Sequence, residues 1–344
     1  MYCSLSAVTS YLVIGNLMTN HFCFLPFNSL MTNGMVNNSV KTHTDIRSHG
    51  WWRWLPPISH PYIYISRLDR PIGWWLLLLP GWWAIALGAP GFISIIWFML
   101  LFLIGAIVTR AAGCIINDMW DRNLDQMVAR TSARPLAAGT MSMQQASLFL
   151  IALGLTGLLV LVQLPILAVY VGLAATPLVI LYPLAKRVTW FPQFVLGLTF
   201  SWGVFLGWTA VTNSLPDLSL ILIYAGCAAW VFGYDTIYAV QDMDDDKKVG
   251  VKSSALALAS NIKAGVGTAY CLAVLLIAAG LLLHDPQPVF TGWLGLAAMA
   301  LHLGNQIRMV RIDDAVLALA LFKSNRNAGL WLVAGLMLDR LFVS

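Results

Sequence analysis

Nine stretches of the chain, near 72–89, 92–112, 145–162, 166–184, 193–211, 218–240, 264–283, 288–305 and 326–343, run for roughly a membrane-spanning length with few charges. About 20 apolar residues cross the hydrocarbon core as a helix, since in lipid the backbone must satisfy its own polar groups. Interruptions by Pro80, Pro177 and Gly203 are compatible with membrane helices. Only 10% of the residues are charged and 59% are hydrophobic, against about 25% charged in a soluble domain. An ordinary soluble enzyme, a disordered chain and a collagen-like rod are thereby excluded. The expected fold is all-α: a polytopic membrane protein of about nine transmembrane helices in a bundle around a central cavity.

The loops set the orientation. Those near 90, 164, 213 and 286 hold no Lys or Arg. Arg67 and Arg70 precede the first span, and the remaining loops hold Arg122, Arg130 and Arg134; Lys186 and Arg187; Lys247, Lys248, Lys252 and Lys263; Arg308, Arg311, Lys323 and Arg326. This alternation follows the positive-inside rule and places the N-terminus in the cytoplasm. It also accounts for the net charge of +5 without nucleic acid as a partner; the partner it implies is the lipid bilayer.

Residues 1–60 are rich in Asn, Ser, Thr and His and show little periodicity. They are expected to be a mobile extension, with a weak transit peptide as the alternative, ahead of a transmembrane domain at 61–344. The only basic residues in that stretch are Lys41, Arg47 and Arg53. A leader so poor in arginine favours a bacterial inner membrane over a mitochondrial one. Cys3, Cys23, Cys114, Cys227 and Cys271 form no CxxC pair. The last three fall in apolar runs and read as small buried residues rather than a disulfide or metal framework.

All fifteen acidic residues are Asp, and seven of them (Asp118, Asp121, Asp125, Asp242, Asp244, Asp245 and Asp246) form two clusters after the second and sixth spans, on the positive face. Asn117, Asp121 and Asp125 are spaced i, i+4, i+8, which stacks them on one face of a helix. Asp242 and Asp246 are again i, i+4, with Asp244 and Asp245 between them and Asp235 two turns deeper. The plain reading of each cluster is a solvated loop of mixed charge. The sharper one is a clamp for Mg²⁺, which favours a few carboxylates together with phosphate oxygens and waters. Tyr182 and Lys186, one turn apart, can hold phosphate oxygens, or serve only as interfacial anchors. Arg67 and Arg70 can hold an anionic acceptor bidentately, or an anionic lipid headgroup; Arg130 and Arg134 can hold phosphate oxygens, or simply mark the positive loops. Acidic stripes, phosphate ligands and a greasy bundle together suit a substrate with a diphosphate head and a long apolar tail. Loss of the diphosphate leaves an allylic cation, which a dry site protects from water.

These residues resemble the UbiA family of intramembrane prenyltransferases. Asn117-Asp-x-x-Asp121-x-x-x-Asp125 matches the family's first Asp-rich motif, Asp242-x-x-x-Asp246 its second, and Tyr182-x-x-x-Lys186 its diphosphate-binding pair. The stretches SRLDRPIG (Ser66 to Gly73), ARPLAAG (Ala133 to Gly139), YDTIYA (Tyr234 to Ala239) and GVKSSA (Gly250 to Ala255) resemble its 4-hydroxybenzoate polyprenyltransferase branch. The resemblance runs from about 62 to 330, and Trp74 stands where relatives commonly have a smaller residue. It implies Mg²⁺-dependent transfer of a polyprenyl chain from polyprenyl diphosphate to the ring carbon ortho to the hydroxyl of 4-hydroxybenzoate, a step of ubiquinone biosynthesis. It implies that Asn117, Asp121, Asp125, Asp242 and Asp246 bind the diphosphate through Mg²⁺, with Tyr182 and Lys186 on it directly. Arg67, Arg70 or Arg134 would hold the acceptor carboxylate, and Asp235 would position acceptor or cation. Homogentisate and naphthoate are the alternative acceptors. From a different class, an ion-coupled transporter would need ionisable residues near the bilayer midplane. Here only Asp235 and Arg110 approach that depth. Prenyl chain length and oligomeric state are not legible in the sequence.

Overall fold

The computed structural model describes residues 49–127, 131–179, 185, 188–243, 247 and 252–343. After two 3-10 turns, Trp51–Trp54 and Pro57–Ser59, come α1 (His60–Ile65), α2 (Ile72–Gly88), α3 (Phe92–Trp120), α4 (Arg122–Met127), α5 (Met143–Leu161) and α6 (Ile166–Ala174). They are followed by α7 (Pro192–Ser201), α8 (Gly203–Thr212), α9 (Leu218–Ala239), α10 (Ser254–Leu258), α11 (Ile262–Leu283), α12 (Phe290–Met309) and α13 (Ala315–Val343).

Each of the nine expected spans meets a helix, and five helical segments among the described residues are long and apolar enough to cross a bilayer: Phe92–Trp120, Met143–Leu161, Pro192–Thr212, Leu218–Asp242 and Ser254–Leu283. Two boundaries differ from the expectation. The helix α3 continues to Trp120 rather than ending near 112, so Asn117 and Asp118 lie within it. The helix α13 begins at Ala315, so Lys323 and Arg326 stand on a helix and not in a loop. In both cases the hydropathy signal stops at the membrane surface while the backbone hydrogen-bond ladder continues past it.

Packing sorts these helices into a buried set and a lipid-facing set. The main core joins α2, α9, α11, α12 and α13, with Trp83, Trp230, Tyr234 and Tyr270 among its largest fully buried side chains. Indole Nε1 of Trp83 donates to the carbonyl of Gly329 at 3.0 Å, and its ring lies 5.2 Å from that of Trp230. The helices α2 and α8 meet through glycines: a Cβ on Gly207 would stand 2.6 Å from the carbonyl oxygen of Gly81. Small residues at such crossings let backbones approach where lipid offers no hydrophobic drive to association. By contrast α5 buries only Ala146, and Leu148, Leu155 and Leu159 are exposed on it, as suits a helix solvated by lipid. Cys114 and Cys227 are buried as expected, whereas Cys271 is exposed, on the outward side of α11.

The contacts establish which helix ends share a face. Arg340, near the end of α13, donates from Nε to the carbonyl of Ala86 at 2.8 Å, at the end of α2. Near the start of α13, the Phe322 ring packs at a tilt against that of Tyr238, with centroids 4.7 Å apart, near the end of α9. Arg67, ahead of α2, pairs with Asp118 near the end of α3. The ends holding Asp118–Asp125, Asp242 and Arg67–Arg70 therefore share one face of the bundle. The opposite face gathers Ala86, Asp217, His284 and Arg340, with the Ser219 hydroxyl 3.3 Å from Nδ1 of His284. That is the partition implied by the charged loops.

Candidate active site

The first acidic motif sits where α3 ends. Its backbone turns at Asp121, the C-cap of α3, and resumes as α4, with the Asp125 amide still donating to the Asp121 carbonyl at 2.8 Å. This small break redistributes the expected stripe. Asn117 is exposed and Asp121 partly so, while Asp125 turns inward and is buried. Asn117 and Asp121 make no side-chain hydrogen bond or ion pair among the described residues, so their oxygens stand available to a ligand.

Asp125 instead belongs to an ion-pair network. Arg134 donates from Nη1 to both of its carboxylate oxygens at 3.1 Å, and to Asp118 at 3.2 Å. From Nη2, Arg67 reaches both oxygens of Asp118, at 2.7 and 2.9 Å. Asp118 is only 1% exposed. Two arginines and two aspartates make the cluster neutral, which a site this dry requires. Burial draws the Arg67 guanidinium below its ordinary pKa, and the Asp118 carboxylate opposes that shift. A small apolar cluster of Ile65, Ile115, Leu136, Met141 and Ala146 packs beneath, tying α1, α3, α5 and the Arg134 loop together.

Asp118 was not among the expected site residues, because it lies off the Asn117–Asp121–Asp125 stripe. The sequence did carry a signal. Asp118 continues the buried face of α3 marked by Ala111 and Ile115, and an aspartate on a core-facing stripe must have a partner. The three candidate arginines also separate. Arg67 is turned inward: Nη1 donates to the carbonyl of Tyr64 at 3.0 Å while Nη2 serves Asp118. Arg134 bridges Asp118 and Asp125. Arg70 donates from Nε to buried Asp69 at 3.2 Å.

Of the second motif, Asp242 closes a 3-10 turn (Val240–Asp242) that extends α9, and Asp235 lies two turns back within α9, partly buried. Tyr182, Lys186 and Asp246 lie outside the described residues, as do Asp244 and Asp245. Among the described residues no three His, Cys or Asp side chains group closely enough to hold a metal by themselves. The donor set still fits Mg²⁺: it consists of hard oxygens, those of Asn117 and Asp121 uncommitted among the described residues, and Mg²⁺ ordinarily completes its shell with phosphate oxygens and water. Two apolar grooves on the outer surface, one lined by Ile116, Met119, Trp120 and Leu150 and one by Thr189, Phe191, Phe194, Val195 and Phe232, contain none of the motif residues.

The model of the UbiA prenyltransferase family matches residues 77–333. The chain belongs to that family. Among curated relatives, the protein named "4-hydroxybenzoate polyprenyltransferase, mitochondrial" of Rattus norvegicus is 44% identical over 291 residues, covering 83% of this chain and 76% of that protein. Its namesake in Aedes aegypti is 41% identical over 289 residues, covering 83% of this chain but 64% of the longer mosquito protein. Among solved structures, the apo UbiA homolog from Aeropyrum pernix K1 aligns with a TM-score of 0.64 at 24% identity, over 77% of this chain and 97% of that one. A UbiA homolog from Archaeoglobus fulgidus bound to GPP and Mg²⁺ aligns with a TM-score of 0.56 at 16% identity, over 79% and 99%. These likenesses establish an all-helical, multi-pass membrane protein of the UbiA fold.

Proposed function

We propose that the chain transfers a polyprenyl group from polyprenyl diphosphate to the ring carbon ortho to the hydroxyl of 4-hydroxybenzoate, in ubiquinone biosynthesis. The observation that carries this reading is the placement of the first acidic motif, Asp242 and the arginine network at one face of an apolar bundle. Relatives above 40% identity that bear the 4-hydroxybenzoate name support the choice of acceptor.

In this reading Asn117, Asp121, Asp125, Asp242 and Asp246 hold Mg²⁺ and through it the diphosphate, and Tyr182 and Lys186 contact the diphosphate directly. When bound, Mg²⁺ supplies positive charge to the departing diphosphate. The residues of the chain do the rest. Asn117 and Asp121 present unpaired oxygens at the mouth. Arg134 fixes the carboxylate of Asp125, and Arg70 and Arg134 supply guanidinium groups toward the acceptor carboxylate. Asp235, deeper in α9, faces the developing allylic cation or the acceptor hydroxyl. The surrounding helices exclude water, which would otherwise quench that cation.

The word "mitochondrial" in the relatives' names supports a mitochondrial membrane rather than the bacterial one favoured by the arginine-poor leader. Residues 1–60 are proposed to be an extension outside the transferase domain; of these, 1–48 lie outside the described residues. The deciding experiment supplies the purified chain in lipid with Mg²⁺, a polyprenyl diphosphate and, separately, 4-hydroxybenzoate, homogentisate and a naphthoate. Prenylated 4-hydroxybenzoate as the main product is expected. Folded protein that prenylates another acceptor would overturn the substrate, and folded protein inert toward all three would overturn the activity.

A further inference from the structure

We infer that Asp118 is a positioning residue, the internal counter-ion that fixes Arg67 and Arg134, and not a ligand of Mg²⁺, although it lies inside the first acidic motif. The argument begins with the backbone. Where α1 ends, the Leu68 amide donates to the carbonyl of Ile63 at 3.0 Å and the Arg67 amide to that of Tyr64 at 3.2 Å. This pair of bonds is a Schellman motif, which places Arg67 at the position that must turn left-handed. Arg67 does so, with φ of 58°. Glycine is the residue that takes this conformation without a steric cost, so the arginine stands here at a backbone cost that its side-chain bonds offset.

That side chain is spent on Asp118, whose two oxygens both accept from Nη2 while Nη1 caps the Tyr64 carbonyl. Asp118 in turn accepts from Arg134, the arginine that grips Asp125. Asp118 spends three of its roughly four lone-pair directions on two guanidinium groups and is 1% exposed, which leaves a cation no open approach, whereas Asp125 is bonded to Arg134 alone and is 7% exposed. Asn117 and Asp121, neighbours of Asp118 on the outward face of the helix, offer both free lone pairs and an open approach. Asp118 therefore fixes where Arg134 stands between the acidic motif and the acceptor. The assignment of Arg134 to the acceptor rests on the function proposed above; the pairing of Asp118 with Arg67 does not.

The test is a charge-balanced cycle: Asp118→Asn, Arg67→Gln and the double variant, with thermal unfolding in detergent in the absence of Mg²⁺ and substrate. Each single variant strands a buried charge and should lower the midpoint by several degrees. The double variant is neutral again and should recover most of the loss. If a single variant fails to fold, folding of the double variant is the same recovery; a double variant no better than Asp118→Asn overturns the pairing. Kinetics then separates positioning from a purely structural role. Asp118→Asn and the double variant should both raise the acceptor KM about tenfold, with the Mg²⁺ concentration for half-maximal rate changed less than the KM, because rescued stability does not restore the placement of Arg134. A large rise in that Mg²⁺ requirement with an unmoved acceptor KM would make Asp118 a metal ligand and overturn the inference. A wild-type chain inert toward 4-hydroxybenzoate would overturn the function alone, while the stability cycle still decides the pairing.

Discussion

Replacing Asn325 by Leu should destabilise the bundle by about 2 kcal/mol, and the structure says where that loss arises. Asn325 lies on α13 with no exposed surface. Its Oδ1 accepts from Nε1 of Trp230 at 2.9 Å, and its Nδ2 donates to Oε1 of Gln306 at 3.2 Å and to the Leu321 carbonyl at 3.1 Å. Tyr270 joins the network by donating to Gln306 at 2.7 Å. One side chain thus links α13 to α9 and α12. Leucine fills a similar volume, so cavity formation is a minor contribution. The Tyr270–Gln306 bond survives, but the Trp230 indole loses its acceptor inside a dry core. An orphaned buried donor costs about 1–3 kcal/mol, and a lost interhelical hydrogen bond in a membrane protein about 0.6 kcal/mol; some gain from burying leucine offsets these. Equilibrium unfolding in mixed micelles measures the sum. Adding Trp230→Phe removes the orphan and should make the two losses less than additive, since the hydrogen bond they share can be lost only once. An Asn325→Leu chain within 0.5 kcal/mol of wild type (roughly the error of such a measurement) would refute the view that this network anchors α13.

Three further outcomes are expected. Asp121→Ala should reduce prenyl transfer at least about a hundredfold by removing an uncommitted oxygen ligand, with the unfolding midpoint unchanged; a near-normal rate measured with radiolabelled acceptor would take Asp121 out of the site. Gly207→Ala must push α8 away from the Gly81 carbonyl and should cost about 1–3 kcal/mol, a typical overpacking penalty; unaltered stability in micelles would contradict the close crossing. His284, buried against Ser219 on the opposite face, has its pKa held below the ordinary histidine value by burial. Its neutral form is therefore favoured in the fold, and its contribution to stability is full above about pH 6.5 and falls as the pH drops below that value. Unfolding midpoints of wild type and His284→Gln between pH 8 and 5 should diverge in slope on the acid side, and parallel curves would remove His284 as the cause.

Some of this was legible in the sequence because its cause is local. Whether a stretch of twenty residues enters lipid depends on its own transfer free energy, and the side on which a loop stays depends on its own Lys and Arg. That each of the nine expected stretches meets a helix, and the partition of the faces, therefore followed from reading the chain, and so did the family, whose motifs lie within short segments. What the sequence left open depends on partners distant along the chain. Asp118 and Asp125 are chemically alike and seven residues apart, yet only the fold brings Arg67, 51 residues upstream of Asp118, onto the one, and Arg134 onto both. The break at Asp121 is likewise a tertiary outcome, since it turns Asp125 inward to Arg134 and leaves Asn117 and Asp121 outward. Hydropathy determined which stretches of the chain are apolar enough for membrane helices; the pairing of buried charges, a through-space requirement of a low-dielectric interior, decided which aspartates hold the protein together and which remain for a ligand.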